Sequence, residues 1–268
     1  MPAYDNAFPK DMKPDTPSNA SLIQVNEVSK SFGIIDAVKN VSLHVPEGGI
    51  FGLIGSDGAG KSTLLRMIAT MVRPSSGRIL IDGLDVMAQR RKIKPLIGYM
   101  PQRFGLYQDL TVGENLDFFM DVFGIPGSER IRRRERYLGF SNLSPFTERL
   151  AGELSGGMKQ KLGLACVLVH EPRILILDEP TNGVDPVSRQ EFWNILTDMK
   201  QEGMTILIST AYLDEGKKCD LLALMHQSHI ITTASPGCIQ SHFSSLEEAI
   251  IDRIRKVDKE LLHDTFRF

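Results

Sequence analysis

Short apolar runs alternate with segments of helical periodicity along most of the chain. Runs of apolar and β-branched residues bounded by Gly, Pro or polar clusters are typical of strands. The pattern predicts strands over residues 22–28, 41–45, 50–54, 78–81, 96–100, 173–177 and 205–208. Because these runs alternate with helical segments, we expect a mainly parallel sheet with helices on both faces.

The stretch from about residue 103 to residue 163 has helical rather than strand periodicity. Thr111 and Glu114 have the spacing of a capping box, in which two side chains satisfy backbone donors at a helix start. A second helix start is predicted at Asp185, because Pro186 follows it in the first turn. The pattern therefore indicates a helical insertion between strands, followed by a return to α/β alternation.

Both ends of the chain differ from this central pattern. Residues 1–20 are rich in Pro, Asp, Asn and Ser, so we expect a flexible tail. Near the other end, residues 221–225 and 230–233 predict a closing hairpin whose turn leaves His226 and His229 in solvent. An amphipathic helix of unknown docking is predicted over residues 245–262.

Composition narrows the possible partners. The net charge of the 268 residues is −2, so the basic runs 89–94 and 130–136 are interpreted as solvated faces, and no nucleic-acid partner is expected. Three scattered cysteines indicate a reducing cytosol without a disulfide framework. No stretch approaches the roughly 18 apolar residues of a spanning helix, so we expect any membrane role to act through a partner.

Residues 55–63 read GSDGAGKST, the spacing of a phosphate-binding loop. The loop follows the apolar run 50–54 and precedes apolar residues at helical spacing from Leu64 to Met71. In such a loop the backbone N–H groups surround a triphosphate, Lys61 neutralises its charge, and the Ser62 hydroxyl ligates Mg²⁺. The predicted nucleotide-binding residues are Gly55, Ser56, Asp57, Gly58, Ala59, Gly60, Lys61, Ser62 and Thr63.

An acidic pair follows the apolar run 173–177. Asp178 and Glu179 would emerge at the carboxyl end of a buried strand. There Asp178 can reach Mg²⁺ through water, and Glu179 can accept a proton from an attacking water.

The sequence LSGGMKQ, residues 154–160, predicts a second anion-attracting helix start. Ser155 can cap a helix that begins beside Gly156 and Gly157. One nucleotide does not need both phosphate-binding elements from the same chain. Each element is therefore expected to complete a site on a partner.

Over residues 22–240 the order GSDGAGKST, Gln102, LSGGMKQ, ILILDEP and NGVDP resembles the nucleotide-binding domain of ABC ATPases. The resemblance implies a RecA-like P-loop NTPase core with an antiparallel β subdomain and a helical subdomain inserted at about residues 103–163. The expected domains are a tail over residues 1–20, the cassette over 21–240, and a C-terminal helix and tail over 241–268.

The same resemblance assigns roles to single residues. ATP would bind to Lys61 and the loop backbone. Mg²⁺ would be reached by Ser62, Gln102 and Asp178, while Glu179 polarises water. In a head-to-tail dimer Ser155 and Gly157 would contact the γ-phosphate on the opposing subunit. Asp185 would lie at the interface, and Phe32 would stack on adenine.

Two residues depart from the family pattern. Asp57 replaces the usual Asn and places a carboxylate near phosphates, where it should point away or form a pair. Ala211 stands where the family has a His that bridges the γ-phosphate and the catalytic carboxylate. This change places hydrolysis at the chain's own loop in question, whereas ATP binding should persist.

Residues 98–115 resemble the branch of the family that powers multidrug-type exporters with separately encoded membrane subunits. The resemblance implies a cytoplasmic protein held on the inner face of the cell membrane by transmembrane permease subunits. It also implies a second ATPase subunit, in a homodimer or heterodimer.

Other functions remain open at this point. The chain could be a slow subunit that supplies Ser155 and Gly157 to a more active partner, because position 211 is Ala. It could be half of a tandem cassette protein. A soluble ABC ATPase of translation or DNA repair is less favoured, because neither tandem cassettes nor a long coiled-coil insertion is present.

Overall fold

The computed structural model describes residues 21–265, and side chains over residues 21–258. The predicted tail over residues 1–20 lies outside the described residues. The strands are β1 Ile23–Phe32, β2 Ile35–Val45, β3 Ile50–Ile54, β4 Ser76–Ile81, β5 Leu84–Asp85, β6 Ile97–Met100, β7 Ile174–Asp178, β8 Thr205–Thr210, β9 Leu221–His226 and β10 His229–Ala234. The helices are α1 Lys61–Ile68, α2 Arg90–Ile93, α3 Val112–Val122, α4 Gly127–Phe140, α5 Gly156–Leu168, α6 Pro186–Gln201, α7 Leu213–Gly216, α8 Pro236–Gln240 and α9 Leu246–Thr265.

The strands form two sheets. The larger has the order β10-β9-β3-β8-β7-β6, and all its pairs are parallel except the β9–β10 hairpin. The smaller is antiparallel, with the order β2-β1-β4-β5. The prediction of a mainly parallel sheet is confirmed for the larger one, and the antiparallel sheet agrees with the subdomain implied by the family resemblance.

Alternate side chains of the parallel strands enter two different cores. On β7, Leu175 and Leu177 join the core that includes residues of α3, α5 and α6, whereas Ile174 and Ile176 join the core shared by α1 and the antiparallel sheet. All five residues of β7 are buried. A strand covered on both faces reads as a continuous apolar run, which is why this strand was predictable.

The helical insertion lies between β6 and β7. The predicted capping box is confirmed, because the Thr111 hydroxyl accepts from Glu114 N at 3.1 Å and the Glu114 carboxylate accepts from Thr111 N at 2.8 Å. The arginines of the basic run in α4 form ion pairs with acidic side chains: Arg130 with Asp121, Arg132 and Arg133 with Glu129 and Glu171, Arg134 with Asp117, and Arg136 with Glu202. The positive charges of this run are therefore paired with carboxylates of the same chain.

Two local predictions are corrected. The helix predicted to reach Met71 ends at Ile68, because Thr70 takes a left-handed φ of 63° and leaves the Met71 side chain exposed. His226 is not solvated as predicted. Its Nε2 lies 2.8 Å from Asp258 Oδ1 of α9, and its side chain is only 14% exposed.

The predicted C-terminal helix is confirmed as α9, and the structure shows where it docks. Leu246, Ala249 and Ile250 are buried in the same core as Ile239 of α8. Within the described part of the chain, no helix is both long and apolar enough to cross a membrane.

Candidate functional site

The loop between β3 and α1 can only be built with glycine at two positions. A Cβ at Gly55 would lie 2.2 Å from the carbonyl oxygen of Met225, and one at Gly60 would lie 2.2 Å from that of Ala37. Gly60 also has a left-handed φ of 108° and provides no side-chain cap to α1. The helix start therefore presents its backbone N–H groups without a side-chain cap, and such groups favour an anion.

Lys61 folds back over this loop. Its side chain is 4% exposed, and its Nζ donates to the carbonyl oxygens of Gly55 at 2.8 Å and Ser56 at 3.0 Å. The same nitrogen lies 3.1 Å from Glu179 Oε1. The loop and the acidic pair at the end of β7 are thus joined by a buried charge pair.

Asp178 is fully buried and lies against three hydroxyl groups. Ser62 Oγ and Ser209 Oγ each donate to its Oδ1 at 2.8 Å, and the Tyr99 hydroxyl lies 3.5 Å from its Oδ2. Burial is the main cause that raises the pKa of Tyr99 above its usual value, so this tyrosine stays neutral. The structure brings Ser62 and Asp178, both predicted to reach a metal ion, into direct contact.

Glu179 is held in a left-handed conformation with a φ of 49°. Its backbone N–H donates to Ser209 Oγ at 3.0 Å, which fixes the peptide at the end of β7. Its Oε2 accepts from Gln102 Nε2 at 3.1 Å and lies 3.4 Å from Asn182 Nδ2. A carboxylate whose orientation is fixed in this way can accept a proton from a water molecule bound beside it.

Two of these neighbours, Ser209 and Asn182, were not singled out from the sequence. Ser209 could have been found, since the carboxyl ends of adjacent parallel strands meet at one edge of a sheet, and β8 pairs with β7. Asn182 begins the NGVDP motif, but its contact with Glu179 could not be predicted, because it lies in an irregular loop whose course depends on tertiary contacts.

The residues of the second helix start lie apart from this cluster. Ser155 and Gly156 are exposed, and the Ser155 hydroxyl accepts from Met158 N at 3.3 Å as the cap of α5. Gly157 packs against α6, where a Cβ would lie 2.4 Å from Ser188 Oγ. Within the residues described, no hydrogen bond or ion pair joins residues 155–157 to residues 55–63.

Asp185 forms the start of α6, as predicted. It accepts from Ser188 N at 2.9 Å, and this hydrogen bond is the main cause that lowers the pKa of the Asp185 carboxyl below its usual value. Asp185 itself is exposed. The starts of α5 and α6 therefore contact each other through Gly157 and Ser188.

The remaining predicted positions are exposed. Phe32 ends β1 with 51% of its surface accessible and with Lys30 Nζ 4.9 Å from its ring centre. Asp57 is exposed in the loop after β3, and Ala211 is exposed after the end of β8. The structure thus links Lys61, Ser62, Gln102, Asp178 and Glu179 with one another, whereas Phe32, Asp57, Asp185 and residues 155–157 lie outside their hydrogen-bond network.

A phosphate-binding loop after β3 and an acidic pair after β7, two strands away, define a P-loop nucleotide-binding ATPase core. The family model described as "ABC transporter" matches residues 38–182. The chain belongs to this family and contains its ATP-binding domain.

Three known proteins illustrate the similarity. The "Probable multidrug ABC transporter ATP-binding protein YbhF" of Escherichia coli K12 is 46% identical over 223 residues, covering 82% of this chain and 39% of that protein. The "Linearmycin resistance ATP-binding protein LnrL" of Bacillus subtilis 168 is 32% identical, covering 88% of this chain and 79% of that protein. A dimeric post-hydrolysis structure of the ATP-binding cassette MJ0796, bound to ADP and Pi, superposes with a TM-score of 0.73 at 25% identity. That match covers 80% of this chain and 98% of the other.

Proposed function

We propose that this subunit binds Mg-ATP at residues 55–63, closes head-to-tail on a second ATPase subunit, and drives export through separate membrane subunits. The cassette would comprise residues 21–240, with its helical subdomain at about residues 103–163. The observation that carries the proposal is the continuous set of contacts from Lys61 and Ser62 through Asp178 and Glu179 to Gln102.

The residues around Asp178 fit a magnesium ion. Mg²⁺ prefers hard oxygen ligands and is bound through few protein groups plus substrate phosphates. Ser62 and Asp178 supply such oxygens at the amino end of α1, and the Gln102 side-chain amide supplies another. When bound, Mg²⁺ would neutralise charge on the β and γ phosphates. Lys61 and the loop N–H groups would hold these phosphates, and Phe32 offers an exposed ring for adenine.

Glu179 is the residue proposed to accept the proton of the attacking water. A general base must lie within hydrogen-bond reach of that water, and Gln102 and Asn182 fix the Glu179 carboxylate on one side. Ala211 presents only a methyl group at the end of β8, so this position supplies no imidazole. Hydrolysis therefore depends on Glu179 and its remaining neighbours.

The second helix start supports the dimer. Ser155 and Gly156 are exposed and lie outside the hydrogen-bond network of Lys61, as expected if they serve a nucleotide on another subunit. The cassette MJ0796, which has a similar fold, is dimeric in its post-hydrolysis structure. In this arrangement Asp185 would lie at the subunit interface.

The names of the relatives YbhF and LnrL support an export role, because they describe a multidrug transporter and a resistance protein. A place on the inner face of the cell membrane, held by permease subunits, follows from that role. Purification of the chain with its membrane subunit, followed by transport with and without ATP, tests the proposal. A membrane subunit that exports normally without this chain would contradict it.

A hydrolysis-impaired subunit is the second candidate, and Ala211 is the observation that favours it. If the missing imidazole limits turnover, Ala211→His will raise the ATP turnover of the isolated dimer by about tenfold or more. Ala211→Leu, which adds bulk at the same position without an imidazole, serves as the control for altered packing. A fast native enzyme that Ala211→His leaves unchanged would reject this candidate.

The chain spans 39% of the length of YbhF, so half of a tandem protein is a related form of the same proposal. The length of the native polypeptide, measured by mass spectrometry from cells, distinguishes a single subunit from a tandem one. Both forms keep the composite site made by residues 55–63 of one cassette and residues 154–160 of the other.

A further inference from the structure

A fully buried carboxylate lies behind the nucleotide site. Glu215 of α7 is 0% exposed, and a buried carboxylate is costly unless it is paired and hydrogen-bonded. Thr181 Oγ1 donates to its Oε1 at 2.7 Å, and Thr210 Oγ1 donates to its Oε2 at 2.6 Å. Both oxygens of the carboxylate are thus bonded to hydroxyl groups from two different segments of the chain.

Those two segments are the loop that follows Glu179 and the end of β8, the strand that pairs with β7. Thr181 comes two residues after Glu179 and directly before Asn182, whose Nδ2 lies 3.4 Å from Glu179 Oε2. Thr210 ends β8 directly before Ala211, and its hydroxyl also accepts from Tyr212 N at 3.0 Å. Glu215 therefore ties the loop after Glu179 to the backbone that carries position 211.

Helix α6 contributes a third contact. Arg189 Nε lies 3.9 Å from Glu215 Oε1, so its charge compensates the buried carboxylate. The guanidinium also lies 4.1 Å from the centre of the Tyr212 ring, and the Tyr212 hydroxyl lies 3.5 Å from Asn182 Oδ1. The loop, the end of β8 and α6 are joined around one carboxylate.

We propose that Glu215 is a positioning residue for Glu179, acting through Thr181 and Asn182. Ala211 has no side chain that can orient the Glu179 carboxylate from the end of β8, so orientation on that side depends on the loop that Glu215 holds. In the part of the chain that the structure describes, Glu215 makes no hydrogen bond with residues 55–63. Its loss should therefore lower the rate of hydrolysis and leave ATP binding intact.

Glu215→Gln is the first test, because glutamine keeps the shape of the side chain but removes its charge and one acceptor. We expect kcat to fall by about tenfold or more, as a displaced catalytic group would cause. KM for ATP and the affinity for a fluorescent ATP analogue should stay within about twofold. Glu135→Gln is the matched control, since this side chain on α4 is exposed and forms no ion pair among the described residues; it should leave kcat unchanged.

Thr181 provides a second test that does not depend on how well Glu215→Gln folds. Thr181→Val keeps the side-chain shape and removes the hydroxyl, whereas Thr181→Ser keeps the hydroxyl. We expect the valine variant to lose kcat and the serine variant to retain it. Because both changes affect the hydrogen bond between Thr181 and Glu215, the loss of kcat in Thr181→Val combined with Glu215→Gln should be smaller than the sum of the two single losses, expressed as free energies.

The inference rests on the role proposed for Glu179, and Glu179→Gln measured in parallel separates the two claims. If Glu179→Gln leaves turnover unchanged, the proposed role of Glu179 fails. If Glu179→Gln abolishes turnover while folded Glu215→Gln and Thr181→Val keep kcat within about twofold, only the positioning role is overturned. Equal losses of ATP affinity and kcat in the Thr181→Val protein would also overturn it.

Discussion

The starts of α1 and α5 are both proposed to bind phosphate, yet they are built differently. At α1, Gly60 provides no side-chain cap, and Lys61 connects the loop to the buried acidic pair. At α5, Ser155 already caps the helix with its hydroxyl, and the residue after it is exposed. The first start is part of a complete cluster within this chain. Among the described residues, the start of α5 joins no such hydrogen-bonded cluster. This is expected if it completes a nucleotide site on another subunit.

The contrast between the two helix starts predicts that a substitution at the start of α1 will lower ATP turnover more than any substitution at the start of α5 or α6. Lys61→Met removes the charge beside the phosphates, so ATP turnover should fall by about 100-fold or more, as when a group that stabilises transition-state charge is lost. ATP binding should weaken as well, and both can be measured with purified protein. Lys39→Met is the matched control, because Lys39 is 48% exposed and pairs only loosely with Asp36 at 3.6 Å.

If Lys61→Met retains full turnover, the start of α1 has no special function in hydrolysis. Loss of turnover in Lys39→Met to the same degree would point to a general effect of removing positive charge.

The difference between the two helix starts also shows what the sequence could predict. The loop before α1 was predictable because the spacing of its glycines, Lys61 and Ser62 is a sequence pattern in itself. The carbonyl groups that exclude a Cβ at Gly55 and Gly60, however, belong to the distant residues Met225 and Ala37.

The parallel strands were predictable because burial on both faces leaves mainly apolar residues, whereas the buried polar residues Ser209 and Thr210 at the end of β8 were missed. In contrast, β2 begins at Ile35 rather than Val41, because residues 35–40 are mostly exposed, with only Val38 buried, and therefore lack the alternation of apolar and polar residues that marks a strand.

Contacts between distant segments could not be predicted. The pairing of His226 with Asp258 depends on where α9 docks, and the sequence indicates only that the helix is amphipathic. The burial of Glu215 depends on two threonines that are 34 and 5 residues away in the chain. Periodicity carries no information on such contacts, so a charged residue of a short helix is interpreted as exposed.

A second prediction tests the independence of the α5 start. In Gly157→Ala the new Cβ would lie 2.4 Å from Ser188, so the start of α5 must shift away from α6. ATP binding at the chain's own loop should persist. The affinity of ATP-dependent dimerisation should fall by about tenfold, which corresponds to a loss of about 1.4 kcal/mol in the free energy of association. Size-exclusion chromatography with ATP, together with equilibrium ATP binding, measures both.

Two further variants make this test specific. Gly139→Ala is the control for adding a methyl group to a helix, because nothing lies within 4 Å of the new Cβ. Ser188→Gly in the Gly157→Ala background removes the clash and should restore dimerisation in part. If Gly157→Ala abolishes ATP binding by the isolated subunit, the two helix starts are not independent.

The smallest expected effect concerns the start of α6, which contacts the start of α5. The Ser188 N–H bond lowers the pKa of Asp185 below its ordinary value of 3.8, so the ionised carboxylate stabilises the folded state. This contribution is present above about pH 3.8 and is lost as the pH falls through the lowered pKa. Asp185→Asn keeps a good N-cap but removes the ionisation, so the variant should lose this part of the pH dependence.

Thermal unfolding of the subunit without nucleotide, measured from about pH 7 to about pH 3, checks this expectation. The native protein should unfold at a slightly higher temperature than Asp185→Asn at neutral pH, and the two curves should converge in acid. Asp198→Asn on the same helix controls for the loss of any one carboxylate. If the difference in unfolding temperature between the native protein and Asp185→Asn stays constant with pH, the charge of Asp185 does not stabilise the start of α6. Only the shape of its cap would then support the contact between Ser188 and Gly157.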